Sequence, residues 1–213
     1  MSPSLAYLVL VILAIPMVLA VGPGRVPRVF ESDWRALRLR GFWLASAGIL
    51  LAQLILGLVD GVLPLHFSTE LSQTGIGVLY SANAVVLAGA AAVAARFAPR
   101  AALGIALVLV VLGVAGAGIT TGVPAWVVVL ALTATGMGLA NTGSVGLLLE
   151  GVQTERIVTA MVVWSQIGMV GYLIGPLVGG PVGQSAGYGA LGLVALAAAL
   201  PVAWIMFAPR RRG

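Results

Sequence analysis

The chain has 213 residues and a net charge of +5, and 61% of its residues are hydrophobic while only 8% are charged. A soluble domain carries roughly 25% charged residues, so this chain lacks the charge to cover a water-facing surface, and we expect an all-α integral membrane protein. It contains no cysteine, which excludes disulfides and thiol catalysis, and no lysine, which excludes a retinal Schiff base. We expect no cofactor and no bound metal.

Seven apolar segments are each predicted to cross a membrane, which takes about 20 mostly apolar residues. The predicted spans are Leu5–Val21, Phe42–Leu65, Gly75–Ala95, Ala101–Thr120, Ala125–Leu149, Ile157–Gly183 and Gly189–Phe207. Residues 1–21 are thus a first, unpaired helix, residues 22–41 a linker, and residues 42–213 a bundle of six helices.

The arginines mark one side of the predicted membrane. They lie in the linker, between spans three and four at Arg96 and Arg100, between spans five and six at Arg156, and after span seven, whereas the opposite loops contain none. Under the positive-inside rule this side is cytoplasmic, which places the N-terminus outside and the C-terminus inside a plasma membrane. Arginines at membrane boundaries also explain the positive charge, so we expect a lipid environment and no nucleic-acid partner.

Two further features lie near the predicted membrane boundaries. The linker sequence "FESDWRALRLR" predicts a short amphipathic helix on the inner leaflet, with a plain basic loop as the alternative. Trp43 and Trp204 near the inner boundary and Trp126 near the outer boundary fit an aromatic belt.

Span six contains glycines at every fourth position within "GYLIGPLVGGPVG". In lipid, small residues at this spacing let two helix backbones approach closely. A proline inside the run removes a backbone donor and bends the helix, which neighbouring helices can repair. We therefore predict a tightly packed helix, either a static seam or one that shifts during function. The candidate packing and gating residues are Gly171, Gly175, Pro176, Gly179, Gly180 and Gly183.

Asp60 is the acid that the pattern places well inside a span. A charge inside the membrane is costly, so an acid there is a candidate functional group, and a carboxyl that binds and releases a proton suits transport. Gln53 lies two helical turns earlier and shares its face. The alternative is a structural carboxylate that is hydrated near the outer boundary.

Other polar side chains fall inside spans three, five and six. Such groups often only hold helices together, but as a set they suggest a mostly neutral cavity for a hydrophobic or amphipathic solute. With Gln53, the candidate cavity residues are Tyr80, Asn83, Asn141, Ser144, Ser165, Gln166 and Tyr172.

Three stretches resemble the major facilitator superfamily of transporters. "GYLIGPLVGG" resembles the G-x-x-x-G-P-x-x-G-G motif of its fifth and eleventh helices. "LILGLVDGVLPLHFSTEL" resembles the seventh helix of drug/proton antiporters of the vesicular amine transporter-like group, in which an acid precedes a Leu-Pro pair. "TGMGLANTGSVGLLLEGVQTERIVTA" resembles their tenth helix and the loop that follows it.

The resemblance implies a C-terminal transporter half, a six-helix bundle of inverted 3+3 repeats, with residues 1–21 corresponding to the sixth helix. It further implies proton-coupled efflux of a small solute, with Asp60 as the proton site. A complete carrier of this kind needs two six-helix bundles. The expected partner is therefore an N-terminal half, missing or on a separate chain, or a second copy.

The sequence also departs from the family pattern. After span three, "AAVAARFAPR" keeps Arg96 and Arg100 of the family's loop signature but lacks its glycines and its aspartate. Asn141 and Ser165 stand where the amine transporters carry acids. The resemblance therefore does not extend to amine selectivity or to their proton relay.

Two other functions remain as alternatives to transport. An intramembrane serine protease would need Ser144 and His66 to meet, but the spans place them most of a bilayer apart, so we expect no enzyme activity. A non-transporting membrane scaffold or half-transporter subunit is the second alternative.

Overall fold

A computed structural model describes residues 40–207, which form six long helices. The helices are α1 (Arg40–Phe67), α2 (Gln73–Ala94), α3 (Pro99–Ile119), α4 (Val123–Gly151), α5 (Ile157–Ala186) and α6 (Leu191–Phe207). The predicted first span, the linker helix and the C-terminal arginines lie outside the described residues.

Each of the six helices is long and apolar enough to cross a membrane, and every regular element in residues 40–207 is helical. These helices indicate a multi-pass membrane protein. They correspond to predicted spans two to seven, with ends that differ by at most about three residues. The seventh span and the pairing of the helices into inverted repeats stay predictions.

The helix boundaries have local chemical causes. The Ser72 hydroxyl accepts a 3.2 Å hydrogen bond from the Gly75 N–H and caps α2, and Pro99 opens α3 in the first helical turn, where no backbone donor is needed. Gly122 and Gly187 adopt positive φ values of 86° and 81° directly before α4 and before a one-turn 3-10 helix, Tyr188–Ala190. That turn precedes α6, which therefore begins two residues later than predicted.

Packing in the bundle is uneven. α1 lies between α4 and α5, while α4 also contacts α2 and α3, and α6 packs on α3. The core therefore follows α1 and α4. By contrast, α2 and α5 are covered on one side only by the described part of the chain, and few of their side chains are buried.

One end of the bundle holds the described arginines. Gly41 of α1 lies against Gly151 of α4, and Gly146 of α4 lies against Pro99 of α3. The loop between α2 and α3 is at this same end and carries Arg96. We call it the arginine end; it also includes Arg100 and Arg156.

The opposite, arginine-free end consists of the turns at residues 68–72, 120–122 and 187–190. Trp126 is buried there: it donates its indole N–H to the carbonyl oxygen of Thr120 at 2.9 Å, and its ring centre lies 4.7 Å from that of the buried Phe67. The prediction that Trp126 belongs to a lipid-facing aromatic belt is therefore wrong, because its ring is 0% exposed within the protein. Trp43 and Trp204, by contrast, are exposed.

Candidate proton and solute site

The glycines of α5 bring its backbone against that of α1. A side-chain carbon at Gly171 would lie 2.5 Å from the carbonyl oxygen of Leu50, and one at Gly175 would lie 2.5 Å from the amide nitrogen of Leu58. Ordinary contacts begin at 3.4 Å, so neither position has room for a methyl group. The two helices therefore meet through main-chain atoms over several turns.

The remaining glycines of the motif have different surroundings. Gly179 is buried against apolar side chains of α1, and Gly183 faces the ring of Tyr188. Gly180 has no atom within 4 Å of the place where its side chain would begin. The seam thus contains the glycines at every fourth position, and Gly180 lies off it.

Two glycines of α1 also contact α5 at this seam. Gly57 of α1 lies directly against the carbonyl group of Tyr172, and Gly61, one turn later, lies against the ring of Pro176. α5 continues as one helix past Pro176 and ends at Ala186. Between the two glycines, α1 presents Asp60.

Asp60 is exposed on the flank of α1, about 10 Å before the helix ends at the arginine-free side. The Tyr172 side chain lies within hydrogen-bonding reach of the Asp60 carboxylate. From α2, the Tyr80 hydroxyl donates a hydrogen bond to the carbonyl oxygen of Val59, the residue next to Asp60. Three helices therefore bring an acid and two phenols together.

The described arginines do not neutralise Asp60, because Arg96, Arg100 and Arg156 belong to the arginine end. A charged carboxylate at the centre of a membrane helix costs about 2.5–3.5 kcal/mol on insertion scales. The position of Asp60 thus requires water, a proton, a polar partner or a cationic ligand. Tyr172 meets part of this requirement from within the chain.

The other predicted cavity residues do not gather around Asp60. Gln53 is half-buried against Gly168 of α5, and Ser144 of α4 is buried against Gly48 of α1. Asn141 is half-buried on α4.

Two more candidates are exposed on α5. The Ser165 hydroxyl donates a 2.8 Å hydrogen bond to the Val162 carbonyl oxygen on its own helix, and Gln166 is its exposed neighbour. Both lie in the half of α5 nearer the arginine end, whereas Tyr172 is at its middle. They add polar side chains to the exposed surface of α5.

Asn83 has a different environment from Tyr80, although both belong to α2. Tyr80 reaches α1, whereas Asn83 is buried and lines a space between α2 and α4. Arg96 and Arg100 are exposed beside the start of α3. The structure therefore groups Asp60, Tyr80 and Tyr172 and leaves the remaining predicted residues elsewhere.

Sequence reasoning missed an aromatic cluster at the arginine-free end. His66 stacks on Tyr188 with ring centres 4.6 Å apart and lies 5.6 Å from the ring of Trp126. Phe67 completes the cluster. Its signal was present, because these rings stand at the ends of different spans on one predicted side of the membrane.

The same cluster bears on the serine-protease alternative. His66 lies next to Trp126 in the first turn of α4, whereas Ser144 is about 27 Å farther along that helix. A histidine activates a serine only at hydrogen-bond distance. His66 and Ser144 are therefore not a catalytic pair in this arrangement.

No model of a known protein family matches the chain, and no curated protein matches it. The transporter resemblance therefore depends on the motifs of the sequence alone.

Proposed function

We propose that the chain is the C-terminal half of a proton-coupled secondary transporter of the major facilitator type, which exports a small hydrophobic or amphipathic solute. One observation carries the proposal: Asp60 is exposed on the flank of an apolar helix and accompanied by Tyr172. An acid in this position has a chemical use in a carrier, since taking up a proton removes its charge and releasing it restores the charge.

The uncovered flank of α1 and α5 supports this function. Lipid cannot solvate a carboxylate, so the surface at Asp60 needs a water-filled cavity or another polypeptide next to it. In a two-bundle carrier this flank faces the solute pathway between the halves. The expected partner is an N-terminal half on another chain or a second copy of this one.

The glycine seam supports movement in such a carrier. α1 and α5 meet through backbone atoms at Gly171 and Gly175. Small displacements between the two helices there therefore do not require side chains to repack. Such displacements would change the shape of this bundle, whereas alternating access in the proposed carrier comes from rocking the whole bundle against its partner, with the arginine end in the cytoplasm. The protein resides in the plasma membrane in this proposal.

Proton-coupled export is tested in proteoliposomes that contain a pH-sensitive dye. We expect a panel of lipophilic amines and neutral amphipaths to include a solute that releases protons from an acidified lumen. The flux should be lost in Asp60→Asn and kept in Glu70→Gln, which removes an exposed acid from a turn at the arginine-free end.

The experiment is run on the chain alone and with any membrane chain that copurifies with it. Equal flux in Asp60→Asn and the unmodified chain contradicts the role of Asp60. An absence of solute-dependent flux in every preparation contradicts transport and favours a scaffold.

A further inference from the structure

A buried amide on α2 lacks a hydrogen-bond partner. Asn83 is only 8% exposed, and its side-chain oxygen Oδ1 accepts no hydrogen bond within residues 40–207. Leaving a buried polar atom unsatisfied costs about 1–3 kcal/mol. An unsatisfied group of this kind in a folded protein calls for a specific explanation.

Asn83 borders a small chamber between α2 and α4 of about 40 Å³. A wider cleft of about 400 Å³ adjoins it and leads toward the arginine-free end. The two spaces share Leu79, Ala82 and Val127 in their walls, so they lie side by side, with the amide in the wall of the inner one. The cleft has the size of a small-molecule site.

Water alone is a poor occupant of the inner chamber. A buried water needs two to four polar partners, and Asn83 is the one polar side chain in the chamber wall. The other wall residues of the chamber are Leu79, Ala82, Val86, Val127, Leu130 and Ala131. An occupant that carries its own hydrocarbon satisfies both the amide and these apolar walls.

The cleft wall also limits the charge of the occupant. Its residues are apolar except for Ser72 and Thr74 at the mouth, and none of them is charged. Thr74 precedes Asn83 by about 13 Å along α2, which is comparable to a medium-length alkyl chain. Burying an ion in such a cleft without a counter-charge is strongly unfavourable.

We propose that the cleft between α2 and α4 binds an uncharged amphipath whose hydroxyl forms a hydrogen bond with the side-chain amide of Asn83. The hydrocarbon part lies along Leu79 and Val127 toward the mouth at Thr74. A free alcohol and a lipid with an unesterified hydroxyl share this chemistry. Binding here is independent of the transport proposal, because Asn83 faces α4 whereas Asp60 lies on α1.

A single cysteine at the mouth reports on occupancy, since the natural chain contains none. Thr74→Cys in the full chain is placed in lipid nanodiscs, and its reaction with a maleimide is timed while 1-decanol, 1-methoxynonane or undecane is added at known mole fractions. The three probes have the same number of heavy atoms but differ in hydrogen-bond donation.

We expect 1-decanol to slow labelling of Thr74→Cys in a saturable manner, at mole fractions about three- to tenfold lower than the ether or the alkane. Asn83→Leu should abolish this preference, and Asn141→Leu, which removes a half-buried amide on α4 outside the cleft, should keep it. Ala131→Leu narrows the inner chamber and should weaken protection by the alcohol even though Asn83 remains.

Equal protection by all three probes, a preference that survives Asn83→Leu, or no saturable protection at all overturns the proposal. If dioleoylglycerol protects Thr74→Cys from labelling and 1-decanol does not, the hydrogen bond to Asn83 is supported and the hydroxyl belongs to a lipid. If Asn83→Leu does not fold, as judged by circular dichroism, Ala131→Leu decides the question. Asp60→Asn should leave this binding unchanged even where it abolishes proton flux, so the two proposals can fail separately.

Discussion

Adding one methyl group at Gly175 should weaken the association of α1 with α5. In Gly175→Ala the new carbon would lie 2.5 Å from the amide nitrogen of Leu58 and 2.8 Å from the carbonyl carbon of Gly57. Both neighbours are main-chain atoms, which cannot rotate away as a side chain does. The helices must therefore separate locally by about 1 Å, which forfeits a quarter to a half of the dispersion energy of the contacts affected.

The size of the effect follows from two opposing terms. Overpacking of this kind costs about 1–3 kcal/mol, while replacing glycine by alanine inside a helix gains about 0.5–1 kcal/mol. Gly180→Ala gains the second term without the first, because nothing lies within 4 Å of its new carbon. The difference between the two variants therefore isolates the contact and should be about 1–3 kcal/mol.

The assay is reversible unfolding in dodecyl maltoside micelles with increasing sodium dodecyl sulfate, followed by circular dichroism and tryptophan fluorescence. Gly175→Ala should unfold at lower dodecyl sulfate than the natural chain, and Gly180→Ala at equal or higher dodecyl sulfate. If the two variants unfold together, α5 does not contact α1 through Gly175, and the seam described here is wrong.

Three further outcomes follow from the packing and the arginine distribution. Tyr80→Phe removes the hydrogen bond to the Val59 carbonyl oxygen and should lower the unfolding free energy by about 0.6 kcal/mol. If the phenol also serves Asp60, the same substitution should change the solute-dependent proton flux by more than this loss of stability accounts for. An unchanged unfolding free energy would show that the bond does not stabilise the protein. Gly138→Ala places a carbon 2.6 Å from a carbonyl oxygen of α2 and should destabilise the α2–α4 contact by about 1–3 kcal/mol in the same unfolding assay. In intact cells, an impermeant maleimide should label Glu70→Cys but not Glu150→Cys, because the arginine end is proposed to face the cytoplasm. Labelling of Glu150→Cys but not of Glu70→Cys would show that the orientation is the opposite one.

The helices could be predicted closely because hydropathy reports the length of each apolar segment. Predicted span five, Ala125–Leu149, differs from α4 by two residues at each end, and predicted span six begins at Ile157 as α5 does. The Ser72 cap sets the start of α2, and prolines in the first turn mark the starts of α3 and α4. The prolines inside α5 did not end it, as expected for membrane helices, whose backbone groups can find partners on neighbouring helices.

Which apolar side chains are buried could not be predicted in the same way. The interior of the bundle and the surrounding lipid are equally apolar, so hydropathy does not separate a core tryptophan from a lipid-facing one. Trp126 and Trp204 look alike in sequence, yet the first is 0% exposed and the second 77%. Only the tertiary neighbours of Trp126 distinguish them.

Those parts of the candidate site that depend only on positions along one helix could be predicted from the sequence. The acid at Asp60 and the glycine ladder were both recognised from local sequence. Tyr80 and Asn83 were both predicted to line the cavity, but they are three residues apart on α2, which turns their side chains by about 60° relative to each other. That angle is enough for Tyr80 to reach α1 while Asn83 faces α4.

The contact between Gly57 and the Tyr172 carbonyl group has a consequence for the acid one turn away. It brings the two backbones that carry the carboxylate and the phenol into direct contact, so the rotamers of Asp60 and Tyr172 have only a short gap to bridge. A larger side chain at Gly57 would push α5 away from α1 at this turn and carry Tyr172 away from Asp60.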